Sequence, residues 1–252
     1  MKVEVKDLCF SYGKKGREIL HGVSCEFPSR TLTAILGPNG CGKTTLAKCV
    51  NKINIPSSGE IYFDDKSINE YSRNELAKMI GYVPQFSNAR LVGTVMEFVL
   101  LGRRQYIGWN VKDEDIGAVA DVLEKLHISD LSDKNYGELS GGQRQKVLVA
   151  RALMQESEMY LFDEPTSNLD IKNELEIMNL GRGIVDNDGK SVIMVVHDLN
   201  MALHYADYVI FIKDGNIVTQ GATKGVVTAD YIKDVYDVKT KIEECGYVNP
   251  FV

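Results

Sequence analysis

Gly37-Pro38-Asn39-Gly40-Cys41-Gly42-Lys43-Thr44-Thr45 is the stretch whose reading decides the fold of this 252-residue chain. It satisfies the pattern G-x-x-x-x-G-K-[ST], with Gly37, Gly42, Lys43 and Thr44 in the defining places. Just before it, Thr33-Ala-Ile-Leu36 is a short apolar run of the kind that forms a buried strand. Just after it, Thr45-Leu-Ala-Lys-Cys-Val50 reads as the opening of a helix, so a strand–loop–helix context is predicted. Glycines let successive backbone N–H groups of such a loop wrap phosphate oxygens, and the helix N-terminus adds partial positive charge. Lys43 is then placed for the terminal phosphates and the Thr44 hydroxyl for a magnesium ion.

The rest of the composition narrows the setting. Hydrophobic residues make up 44% and charged residues 25%, as in an ordinary globular protein, and the formal net charge of −6 points away from nucleic acid. No apolar run approaches the roughly 18 residues of a membrane-spanning helix. Met1-Lys-Val-Glu-Val5 does not have the shape of a signal peptide. Cys9, Cys25, Cys41, Cys49 and Cys245 are odd in number and lack C-x-x-C spacing, so neither a disulfide framework nor a zinc site is implied, and a reduced cytosolic compartment is expected.

Outward from the loop, Lys2–Phe10 alternates apolar and polar residues as a half-buried strand does, and Ile19–Phe27 reads as a second strand. Tyr12 stands at the end of the first, where its ring could stack on a base. Gly59–Phe63 and Met79–Val83 follow as short strands, with a capping box at Ser72-Arg-Asn-Glu75 between them and Gln85 at the end of the second. Residues 95–131 change character. Thr94–Leu101 and Asp113–His127 have helical spacing, with Ile116, Val119, Leu123 and Leu126 on one face. Between them, Gly102–Trp109 mixes basic and aromatic residues: either a solvated loop with snorkelling arginines or a docking surface.

Leu139-Ser-Gly-Gly-Gln143 opens a helix free of glycine and proline, so Ser140, Gly141, Gly142 and Gln143 make a second anion site by the same backbone logic. Met159-Tyr-Leu-Phe-Asp163 is an apolar strand ending in an acid, the place from which Asp163 could hold magnesium. Glu164, next in the chain, could polarise a water. Pro165–Asp170 forms a tight loop before an Ile171–Asp186 helix. Ser191–Val196 is a central parallel strand ending in His197, at the end of the sheet where open α/β folds bind ligands. Tyr208–Thr219 is a hairpin around Asp214-Gly215, and Thr228–Tyr236 a capped closing helix.

Together these pieces resemble the ATP-binding subunit of an ABC transporter, from residue 2 to about residue 240. The Walker A loop stands at residues 37–45, and Gly37, Pro38, Asn39, Gly40, Cys41, Gly42, Lys43, Thr44 and Thr45 would line the nucleotide. The LSGGQ signature is a full match at residues 139–143, and Walker B is residues 159–163. By the same resemblance Tyr12 stacks on adenine, Gln85 is the Q-loop residue near the metal, Asp170 the D-loop acid and His197 the switch histidine. Glu164 and His197 are the catalytic pair, and Thr44, Gln85 and Asp163 the magnesium set. The implied fold is α/β: a P-loop NTPase core of mainly parallel sheet flanked by helices, an N-terminal antiparallel β subdomain and an inserted α-helical subdomain. One ATPase domain is expected over residues 1–252, with the insertion at about 86–158.

The resemblance further implies a homodimer in which two copies sandwich two ATP molecules between Walker A and the signature. It implies integral permease subunits, indirectly an extracytoplasmic substrate-binding protein, no nucleic acid, and a peripheral position on the cytoplasmic face of the membrane. Val99–Trp109 and Tyr231–Val238 resemble importers of iron–siderophore, haem and cobalamin; an importer of free zinc or manganese and a soluble non-transport ABC ATPase are the alternatives. Three places depart from the family pattern, one of them Ser29-Arg30 before the Walker A strand, where Gly-Glu is usual. Asn168 stands where Ala or Gly is usual, and Cys41 where Ser or Ala is; at a helix N-terminus a lowered thiol pKa is expected of Cys41, with alkylation that Mg-ATP blocks.

Overall fold

The protein is described by a computed structural model covering residues 1–13, 16–85, 93–107, 110–167, 169–243 and 247–251. In chain order its elements begin with β1 (Val3–Ser11), β2 (Glu18–Phe27), β3 (Leu32–Leu36), α1 (Lys43–Val50), β4 (Ser58–Phe63) and β5 (Lys66–Ser67). Next come α2 (Arg73–Met79), β6 (Ile80–Val83), α3 (Val95–Leu100), α4 (Asp113–Lys125), α5 (Gly141–Leu153), β7 (Met159–Asp163) and α6 (Ile171–Asp186). β8 (Ser191–Val195), α7 (Leu199–Tyr205), β9 (Tyr208–Lys213), β10 (Asn216–Ala222), α8 (Thr223–Val226), α9 (Ala229–Tyr236), β11 (Lys239–Ile242) and β12 (Val248–Phe251) complete the series. They gather into two compact units, Met1–Tyr71 with Met178–Val252, and Ser72–Ile177.

In the first unit β1 pairs antiparallel with β2 and β4. β3 runs parallel to both β8 and β9, and β10 pairs antiparallel with β9. Every residue of β3 and β8 is buried, as their mainly apolar sequences require of strands covered on both faces. The β9–β10 turn places Asp214 at φ 47° and Gly215 at φ 74°, the left-handed pair that a two-residue hairpin needs. A Cβ on Gly215 would meet the Ile19 carbonyl oxygen at 2.1 Å, so that turn admits glycine alone. The two sheets are stitched by Gln220 Oε1, which accepts from the Glu26 backbone N–H at 2.9 Å.

In the second unit β6 and β7 pair in parallel, Ile80 opposite Met159 and Val83 opposite Phe162. Three of its helices start with reciprocal capping boxes, Ser72 with Glu75, Thr94 with Glu97 and Ser140 with Gln143. α4 departs from the expected face. Val119, Leu123 and Leu126 are buried, but Ile116 is 43% exposed. The inward position one turn before Val119 belongs to Asp115, whose carboxylate accepts from the Lys112 N–H at 3.0 Å and from Arg103 Nε at 2.8 Å. An acidic residue with two donors fills the head of the stripe that hydrophobic spacing assigns to Ile116.

Arg103 is therefore no snorkelling surface arginine: its side chain is 18% exposed and also bridges Glu156 at 2.5 Å. Tyr106 remains 44% exposed and donates its hydroxyl to the Gln155 carbonyl. Gly108 and Trp109 lie outside the described residues, as does Asn168.

Candidate functional site

The phosphate loop has the form its sequence prescribes. Gly40 and Gly42 take φ of 76° and 111°, and Gly37 takes 157°. A Cβ on Gly37 would lie 2.0 Å from the Ile212 carbonyl oxygen, and one on Gly42 2.9 Å from Leu20 Cδ2, so the loop is pressed against β9 on one side and β2 on the other. Lys43 is 4% exposed, and its ammonium donates to the Gly37 and Pro38 carbonyls at 2.8 and 2.9 Å. An ammonium has three protons, and these contacts hold two of them across the mouth of the loop. α1 begins at Gly42 without a capping side chain and without an acid in its first turn. A helix start without a capping side chain, a glycine backbone and a lysine held against the loop make a fitting cradle for a polyphosphate. Thr44 and Thr45 open α1, and Tyr12, 52% exposed, packs edge-on to Phe10 with its hydroxyl 3.4 Å from Thr45 Oγ1.

Two acids stand at the end of β7. Asp163 is 1% exposed and accepts from the Tyr82 hydroxyl at 3.1 Å. Glu164 follows in the left-handed region at φ 51°, an uncommon conformation for a side-chain-bearing residue that concentrates at functional sites. Its carbonyl is braced by Ser167, whose N–H and hydroxyl reach it at 3.2 and 3.0 Å. Gln85, half-buried after β6, donates its amide to the Glu164 carboxylate. The sequence-predicted Gln85, Asp163 and Glu164 thus meet at the ends of two paired strands. Tyr82 was missed; it precedes Gln85 by three residues on β6, and only the pairing with β7 brings it to Asp163. Among the described residues no three His, Cys, Asp or Glu side chains form a metal cage. One buried carboxylate with hydroxyl and amide oxygens suits a magnesium ion that takes its remaining ligands from phosphate and water.

Ser140 and Gln143 satisfy each other at the start of α5: Ser140 Oγ accepts from the Gln143 N–H at 3.3 Å, and Gln143 Oε1 from the Ser140 N–H at 3.0 Å. Beside them opens a cleft of about 350 Å³ lined by Ser140, Gly142, Gln143, His127, Lys146 and Asn173. Gly141 has nothing within 4 Å of where a Cβ would stand, so this backbone is approachable from outside. Asp170 caps α6, accepting from the Asn173 N–H and side-chain amide at 2.8 and 2.9 Å. Asn173, unremarkable in sequence, therefore links Asp170 to the cleft beside Ser140.

His197 follows β8 on an exposed turn, and the next residue, Asp198, caps α7. The expectation for Cys41 is overturned. The residue is 5% exposed, and burial raises its thiol above the ordinary value; the Lys43 charge and nearby backbone N–H groups oppose this only in part. A side chain turned into the protein pays desolvation that the helix N-terminus does not offset.

A buried strand, a glycine cradle, a lysine and two acids after a second strand define a P-loop nucleotide-binding protein. A family model described as ABC transporter matches residues 20–167. An uncharacterized ABC transporter ATP-binding protein of Methanocaldococcus jannaschii is 44% identical over 96% of this chain and 94% of its own length. The ferric enterobactin transport ATP-binding protein of Escherichia coli is 36% identical over 94% of this chain and 88% of its own. A solved dimeric ATP-binding cassette in a post-hydrolysis state, bound to ADP and Pi, has a TM-score of 0.79 and 30% identity, covering 88% of this chain and 98% of that one. The chain belongs to the ABC transporter family and is an ATP-binding ABC ATPase. Among its described residues no helix is long and apolar enough to cross a membrane.

Proposed function

We propose that this chain, as one of two identical subunits on the cytoplasmic face of a membrane, hydrolyses ATP to power import through a permease. The imported compound is an iron chelate of the siderophore, haem or cobalamin class, delivered by an extracytoplasmic binding protein. The observation that carries the dimeric part is that one chain has two glycine-lined helix starts suited to phosphate, the loop around Lys43 and the start of α5 at Ser140. One bound ATP needs only the first. The second is accounted for when the Ser140–Gln143 segment of one copy caps phosphates held by the other. The iron-chelate part is supported by the E. coli relative, whose name is that of a ferric enterobactin transport protein.

On this reading Gly37–Thr45 wraps the phosphates, Lys43 donates to them, and Tyr12 stacks on adenine. Thr44, Asp163 and Gln85 would hold magnesium, which would neutralise charge on the phosphate oxygens. Glu164 accepts a proton from the attacking water, and His197 supports the charge that develops on the γ-phosphate. Gln85 now occupies the Glu164 carboxylate. Gln85 would serve the metal from its place beside Glu164, and it stands at the start of the helical insertion of about residues 86–158, where the permease would dock, so that it would link the nucleotide state to that insertion. Residues 1–252 act as a single ATPase domain.

Glu164→Gln tests the chemistry. The amide keeps the shape but loses the base, so ATP binding persists, an ATP-dependent dimer accumulates on gel filtration, and hydrolysis falls about a hundredfold or more. Hydrolysis at the unaltered rate would overturn the role. Purification of the tagged chain from solubilised membranes of its source cell tests the partner: a stoichiometric multi-span protein is expected, and soluble partners alone reject the transport reading.

A further inference from the structure

The C-terminal hairpin β11–β12 is placed by none of the motifs, yet it holds the helix that follows His197. Asn200, on the first turn of α7, offers its side-chain amide to the main chain of Val248: Oδ1 accepts from the Val248 N–H at 2.7 Å, and Nδ2 lies 3.5 Å from the Val248 carbonyl. The amide thus reads both backbone groups of one residue of β12 much as a neighbouring strand would. Val248 is 3% exposed, so the contact is anchored in the fold. The start of α7 is further fixed by Asp198, whose Oδ1 accepts from the Asn200 and Met201 N–H groups at 2.7 and 3.2 Å. Its end is fixed by Arg182, which donates to the Tyr205 carbonyl at 3.2 Å and to Asp207 at 2.8 Å.

His197 itself stands on an exposed turn between β8 and this helix. The backbone of that turn is carried by the elements at its two ends. β8 is buried throughout and paired with β3, whereas α7 has only seven residues and depends on its anchors. The phosphate loop has a support of its own in α9, whose buried Tyr236 hydroxyl lies beside the Gly37 amide. Lys213 ties the end of α9 to β9, donating to the Asp234 carbonyl at 2.7 Å and to Asp237 at 3.0 Å.

The geometry points to Asn200 as a positioning residue for ATP hydrolysis: by fastening α7 to the C-terminal hairpin, it holds His197 where the γ-phosphate is cleaved. The inference rests on the reading of His197 given above. Its consequence is a change in kcat without a change in nucleotide affinity, because Asn200 touches neither the phosphate loop nor, among the described residues, either acid.

The test is a double-mutant cycle on the full chain with ATP and magnesium. Asn200→Ala is expected to lower kcat roughly fivefold with KM for ATP within about twofold of its original value, and to cost nothing further in a His197→Ala background. Asn200→Asp keeps the acceptor for the 2.7 Å contact and restores most of kcat, which also covers the case of an unstable alanine variant. An equal loss from Asn200→Ala with and without His197, or an unchanged kcat while His197→Ala is inactive, overturns the inference alone. Unaltered hydrolysis by His197→Ala removes instead the reading on which it depends.

Discussion

Cys41 illustrates how a motif can fix the backbone of a residue and leave its side chain open. The pattern placed it on the phosphate loop at the start of a helix, where an exposed thiol would be activated. Its direction was invisible in the sequence because it depends on Gly37, whose hydrogen in place of a Cβ leaves room for the sulfur: a Cβ there would come within 2.8 Å of Cys41 Sγ. With the thiol raised by burial, thiolate is scarce near neutral pH. Alkylation of Cys41 by N-ethylmaleimide at pH 7.5, followed by peptide mass spectrometry, should be at least about tenfold slower than in the urea-unfolded chain. Labelling as fast as in the unfolded chain would mean that the thiol faces solvent. Lys43, Asp163 and Glu164 were legible because their chemistry and flanking apolar strands coincide. Tyr82, Asn173 and Asn200 were not, because each acts through a contact with a residue 81, 3 or 48 positions away that spacing does not single out.

The elements themselves were largely readable. Apolar runs marked β3, β7 and β8, and the capping pair at Ser72 and Glu75 announced α2. Periodicity failed where a polar residue occupied the buried stripe, as Asp115 does on α4 in place of Ile116. It was silent on β11 and β12, which are short, half-exposed and defined by pairing with each other. Asp115 makes the failure measurable. The Lys112 backbone N–H, and then the Arg103 side chain, hold its carboxyl below the ordinary value. A depressed carboxylate contributes stability that is present above the unfolded-state pKa, near 4, and is lost as pH falls through the lower folded-state value. Asp115→Asn should therefore lower Tm at neutral pH, and the gap to the unaltered protein should close as melts are taken from about pH 5 toward pH 3. A gap of constant size across that range would show that packing, and not the charge, is what Asp115 supplies.

At the scale of the whole molecule, one chain carries the phosphate loop and the signature helix, and the proposed dimer joins each loop to the signature of the other copy. That arrangement makes a prediction no single-chain mechanism shares. Lys43→Ala leaves every site of its own dimer without the lysine, and Ser140→Arg leaves every site with a blocked signature, so neither preparation alone should hydrolyse ATP appreciably. In a mixed dimer the intact loop of the Ser140→Arg chain faces the intact signature of the Lys43→Ala chain, and one site is whole. Random exchange makes about half of the dimers mixed, with one of two sites restored, so an equimolar mixture should regain up to about a quarter of the original rate. Head-to-tail closure is reciprocal by symmetry, which is why the defects complement only when they lie on opposite chains. A third preparation carrying both substitutions, mixed with the unaltered chain, controls for dilution: its mixed dimers contain one loop without lysine against an intact signature and one intact loop against a blocked signature. Both sites are then broken, and the rate should be that of the remaining unaltered dimers alone. If the two single variants mixed together hydrolyse no faster than either does separately, while each still binds and exchanges partners by gel filtration, then loop and signature do not meet across two copies in a site able to act alone.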